Sequence, residues 1–152
     1  MSTGADWGNI FRIVAAVGFA ASAALHLATF TRLPPALGAA IATALFLGAL
    51  ALLAAMIVRL RAIGAPVRGQ GTVRMVDWRR LAAVVPEGPR RATLAVVIYV
   101  LMNFVLCLVF LDEGAGSVRL LSGHLLLFYL IPLLYFRFVE PRLRDGGNGS
   151  DP

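Results

Sequence analysis

The sequence predicts an all-α fold: a polytopic membrane protein, an up-down bundle of four transmembrane helices with a short interfacial helix in its central cytoplasmic loop. Three observations lead there. The 152-residue chain is 59% hydrophobic with a mean hydropathy of +0.82, above the roughly 45–50% apolar share of soluble domains. Its apolar residues gather in four runs, at about 10–31, 36–58, 92–111 and 119–139. Each run supplies about the 20 residues that a helix needs to cross a bilayer core. Finally, the fourteen basic residues, every one an arginine, lie mostly at the ends of these runs and between them.

The first run carries the motif "VAAVGFAASAALHLATF". Arg12 and the small-x-small triplet Ala21-Ser22-Ala23 have the form of a signal peptide, but apolar residues continue through His26 to Phe30, as expected of a retained span. Pro34 and Pro35 in "TRLPPALG" stop this helix and start the second. The second run departs from large apolar side chains at Gly38, Ala42, Thr43, Gly48 and Ala49, among other alanines, a pattern that reads as close packing. In the central loop, Asp77 of "VRMVDWRRLAAVVPEGP" is placed to cap a short interfacial helix over about 73–85. Trp78, Leu81, Val84 and Val85 would face lipid there, and Arg79 and Arg80 the headgroups. The third run holds a polar stripe, and "DEGAGSVR" then turns the chain at Gly114 and Gly116, with Asp112 and Glu113 as solvated turn residues. Pro132 interrupts the fourth run and leaves the Phe128 carbonyl without its usual partner, which membrane helices tolerate when neighbours compensate. Residues 1–142 therefore form one domain, and the Gly-rich tail 143–152 is expected to be disordered.

The arginines orient the bundle. Arg59, Arg61, Arg68, Arg74, Arg79, Arg80, Arg90 and Arg91 lie in or beside the central loop, with Arg12 near one terminus and Arg137, Arg142 and Arg144 near the other. Four spans put all twelve on one side and leave Arg32 and Arg119 on the opposite one. The arginine-rich side is the cytoplasmic side, so both termini are expected there. Arginines so placed meet anionic lipid headgroups rather than nucleic acid.

This topology brings together polar residues that are remote in sequence. The chain has two histidines, His26 in the first span and His124 in "RLLSGHLLLFYLIPLLYFRF" of the fourth. Helical rise places them about 6 Å and about 9 Å below the same outer surface. On the third span Tyr99, Asn103 and Cys107, spaced i, i+4, i+8, form one stripe at that level. Ser22 and Ser122 complete a supporting polar cluster. Intramembrane ionisable residues are functional candidates by default, and three readings stay open. In one, neutral imidazoles tie helices together through Asn103, Ser22, Ser122 or a backbone carbonyl. In the second, His26 and His124 are axial ligands of a single b-type haem, or ligate copper or zinc with Cys107. The third is a proton relay, or a quinone or lipid headgroup site. The lone cysteine permits no internal disulfide. No Gly-rich phosphate loop, HExxH motif, paired intramembrane carboxylate or nucleophile with an evident base is present in the sequence.

Residues 99–135, "YVLMNFVLCLVFLDEGAGSVRLLSGHLLLFYLIPLLY", carry Asn103-Phe104, Ser122-Gly123-His124 and Phe128-Tyr129, with His26 late in the first helix. This pattern resembles a group of small uncharacterised bacterial four-helix integral membrane proteins. Leu125-Leu126 stands where such proteins commonly have Trp-Met after the histidine. The resemblance covers about a quarter of the chain and implies that His26, Asn103 and His124 belong together; it carries no activity with it. The expectation is a multi-pass protein of the bacterial inner membrane, structural or accessory in role and without catalysis of its own, packing on a larger membrane complex or on itself. The alternative is a one-haem electron-transfer protein.

Overall fold

Long apolar runs offer few side-chain partners for their own peptide groups, so the backbone must satisfy itself within regular structure. This chain uses helices. The computed structural model describes residues 3–31, 33–64, 85–110 and 113–146, and these are helical apart from short turns. Helix α1 is Thr3–Ala28, α2 Pro35–Gly64, α3 Glu87–Phe110 and α4 Glu113–Leu134. A π-helical turn, Tyr135–Val139, joins α4 to the short α5, Glu140–Gly146. Four stretches, Trp7–Ala28, Pro35–Ala62, Glu87–Val109 and Ser117–Leu143, are long and apolar enough to cross a membrane. The interfacial segment expected at 73–85 lies outside the described residues except for Val85, which packs on the core.

The helix ends follow local chemistry. α1 unwinds through tight turns, with the Phe30 and Thr31 amides donating to the carbonyls of Leu27 and Ala28. Pro35 opens α2 at a position whose amide would have no helical partner anyway, and the Pro34 carbonyl accepts from Gly38 at 3.0 Å. Pro86 plays the same part for α3, accepting from Arg90 at 3.1 Å. One expectation is corrected here: Gly114 and Gly116 do not form the turn between α3 and α4 but lie in the first turns of α4. The reason is that each glycine costs a helix only about 1 kcal/mol.

α4 is the hub, packing against α1, α2 and α3, while α3 makes its main interface with α4 alone. His26 near the end of α1 meets Ser122 near the start of α4, and Phe11 stacks on Phe136 at the other end. α1 and α4 are thus antiparallel, and α2 runs alongside α4, with Gly38 at Val118 and Gly48 at Tyr129. The buried core follows α4 from Leu125 through Tyr129 to Phe136 and Val139, against Ala15 of α1 and Ala42, Ala49 and Leu52 of α2. Outward, α3 presents Leu94, Ile98, Leu101, Met102, Val105, Leu108 and Val109. An exposed apolar surface of this extent marks a face that meets an apolar partner.

Tyr129 keys three helices together. Its ring fills the space over Gly18, where an added Cβ would lie 2.0 Å from a ring carbon. Its hydroxyl passes Gly48 and donates to the Leu45 carbonyl at 2.7 Å. The small residues of α1 and α2 therefore serve to admit a tyrosine from α4. Beyond Pro132 the π-helical turn widens the helix; the Glu140 amide donates to the Tyr135 carbonyl five residues back. That extra residue turns Tyr135, Phe136, Val139 and Glu140 all inward.

Candidate functional site

Serine and threonine hydroxyls within helices commonly bond back to their own helix, and several do so here. Ser22 donates to the Gly18 carbonyl (2.8 Å), Thr29 to that of His26 (2.6 Å), Thr43 to Ala39 (2.9 Å) and Thr93 to Pro89 (2.8 Å). Ser22 is buried on α1 and bonds to its own helix rather than to an imidazole. The residues that reach across helices define the candidate site.

His26, 3% exposed, is its centre. Its Nδ1 lies 2.9 Å from Ser122 Oγ on α4, and its Nε2 lies 2.5 Å from Tyr99 Oη on α3. One imidazole thus joins three helices. The proton positions follow from the far end of the chain of bonds. Ser122 Oγ donates to the Arg119 carbonyl at 3.0 Å, so toward His26 it accepts. Nδ1 then carries the proton, and Nε2 accepts from the Tyr99 hydroxyl. Phe30 and Tyr99 pack edge-on to the ring, with centroids 5.6 and 5.5 Å away.

Asn103 forms the floor. Its Oδ1 accepts from Arg119 Nε at 3.2 Å and is approached by the Cys107 thiol at 3.8 Å. Its amide nitrogen is buried against Gly123, where a Cβ would sit 2.8 Å away, and has no hydrogen-bond partner among the described residues. Exchanging oxygen and nitrogen would aim two donors at each other across the Arg119 contact, so the orientation is fixed. Arg119 closes the cluster by laying its guanidinium 3.9 Å from the Phe30 ring centroid, a cation–π contact.

Of the residues singled out in the sequence, the structure gathers His26, Tyr99, Asn103, Cys107 and Ser122. His124 is placed differently. Its Nδ1 donates to the Leu120 carbonyl of its own helix at 2.8 Å, and its ring stands edge-on to Phe104 at 5.9 Å. His26 instead rests against Gly123, with Cε1 3.6 Å from the position a Cβ would take. Residues 123 and 124, adjacent on a helix, project about 100° apart. Among the described residues no group of three or more His, Cys, Asp or Glu side chains gathers to hold a metal.

A second polar contact lies at the opposite end and was not singled out in the sequence. Arg59 of α2 donates to Glu140 at 2.9 Å, and the Glu140 side chain is 3% exposed. Gly8 of α1 leaves room beside that carboxylate. The available signal was position: Glu140 directly follows the apolar run on a face otherwise rich in arginine.

With the proton on Nδ1, the His26 cluster forms one chain of donors and acceptors. The bonds run from Tyr99 through His26 and Ser122 to a peptide carbonyl, which cannot pass a proton onward. The imidazole lone pair is already occupied by the tyrosine. Comparison with protein-family models, curated proteins and solved structures returns no match to this chain.

Proposed function

We propose that this chain is a multi-pass protein of the bacterial inner membrane that serves as a structural or accessory subunit, with no catalytic activity of its own. The observation that carries the reading is the saturation of His26: each ring nitrogen bonds a hydroxyl from a different helix. A metal or haem iron would have to displace Tyr99 to reach the only lone pair, whereas a helix tie needs nothing further. Each such bond contributes about 0.6 kcal/mol in a membrane protein, and at most about 1.7. The pair is therefore worth about 1 kcal/mol, a modest sum that fixes which face of α3 meets the bundle. The termini and the central loop are cytoplasmic on the arginine count, and the outward apolar faces of α2 and α3 serve lipid or a larger assembly.

The test is the absorption spectrum and metal content of protein purified from membranes. A colourless, metal-free and folded preparation is expected. A Soret band that disappears in both His26→Ala and His124→Ala would replace this reading with the one-haem electron carrier.

A further inference from the structure

The polar cluster pins α3 at one end of the bundle; at the other, α2, α3 and α4 leave a groove between them. Its volume is about 370 Å³, and Met56, Leu60, Val97, Ile131, Leu134 and Val139 line it, with Arg90 at its rim. The groove is open: Ile131 is 46% exposed. Arg90 and Val97, seven residues apart on α3, span about 10 Å of helix, against about 15 Å for the hydrocarbon of one leaflet. The cleft thus runs from the headgroup level part-way down one leaflet, parallel to a lipid chain, with its cation at the headgroup end.

Charge selects among lipids. Arg91, next to Arg90, is engaged by Glu87 at 2.5 Å, while Arg90 pairs with no carboxylate among the described residues. Arg61, Arg137 and Arg142 are exposed at the same end. A guanidinium matches a phosphate with two parallel hydrogen bonds. We propose that this groove seats one acyl chain of an anionic phospholipid, whose phosphate is held by Arg90. The assignment rests on the membrane-spanning reading; a chain washed from membranes by alkaline carbonate would fail that reading separately, before any lipid is tested.

The experiment uses the full chain, delipidated in detergent and offered phosphatidylglycerol or phosphatidylcholine with identical acyl chains, with retained lipid read by native mass spectrometry. One arginine near an anionic surface corresponds to about fivefold in affinity, so phosphatidylglycerol should be retained about that much better. Arg90→Gln, an exposed change, should erase the preference. Ile131→Trp, which fills the groove, should reduce retention of both lipids. Equal retention by the parent protein, or a preference that survives Arg90→Gln, overturns the proposal. So does a folded Ile131→Trp variant that binds as before. A photo-crosslinker at Val97 should label phospholipid; crosslinks to residues 65–84 or to a second copy would show that protein fills the groove and would equally overturn it.

Discussion

Replacing Gly18 by alanine adds one carbon where the structure has a tyrosine ring. The new Cβ would lie 2.0, 2.3 and 2.6 Å from Cε1, Cδ1 and Cζ of Tyr129. Carbon atoms rest about 3.5–4.0 Å apart, so ring and helix must separate by roughly 1.5 Å. The ring cannot swing aside freely, because its hydroxyl is held by the Leu45 carbonyl and Gly48 lies beneath it. Overpacking of this kind costs about 1–3 kcal/mol, and losing the hydroxyl bond adds about 0.6. A destabilisation of about 2–3 kcal/mol is expected, read as a lower midpoint in SDS titration or thermal unfolding in mild detergent. In a Tyr129→Leu background the same Gly18→Ala change should cost little, since the clashing ring is gone. Gly88→Ala is the control: nothing lies within 4 Å of that Cβ, so it should be neutral or slightly stabilising. If Gly18→Ala matched the parent in stability, or cost as much without the Tyr129 ring, the three-helix key would be wrong.

Gly123→Ala should destabilise by about 1–3 kcal/mol, because its Cβ would stand 2.8 Å from the Asn103 amide nitrogen; the same unfolding assay reads it. At the other end, Arg59→Ala should cost more than Glu140→Ala. The first withdraws a cation 2.9 Å from a carboxylate whose side chain is 3% exposed, while the second leaves an arginine already 21% exposed and long enough to reach water. Equal losses would show that the Glu140 carboxylate does not depend on Arg59. Reporter fusions after Arg144 and within residues 29–34 should report cytoplasmic and periplasmic locations respectively; a reversed pattern would overturn the orientation drawn from the arginines.

The four apolar helices were legible because unbroken apolar runs of about 20 residues, bounded by prolines and charges, can be read without knowing any neighbour. Helical rise alone set His26, Asn103 and His124 at one level; the structure gathers His26 and Asn103 there, with Ser122 and Gly123 in the place given to His124. Rotation about each helix axis was not legible. Hydropathy is nearly uniform around α3 and α4, so nothing marked that His26 would lie against Gly123 while His124 turned to Phe104 and its own backbone. Gly48 read as close packing, but nothing in the sequence marked Tyr129, noted only as half of a Phe-Tyr pair, as the side chain that fills the space there and over Gly18. Glu140 was passed over because charges at the end of a span usually face water. The π-helical turn that carries it inward adds a residue that a 3.6-residue period does not anticipate.

The central claim is that one imidazole is fully engaged by hydroxyls from two other helices. Nitrogen-15 NMR of His26 in lipid tests it most directly, because the two ring nitrogens report their protons separately. The account predicts the neutral tautomer with the proton on Nδ1, an Nε2 resonance that moves in Tyr99→Phe, and an Nδ1 resonance that moves in Ser122→Ala. A proton on Nε2, or a spectrum indifferent to both substitutions, would contradict it.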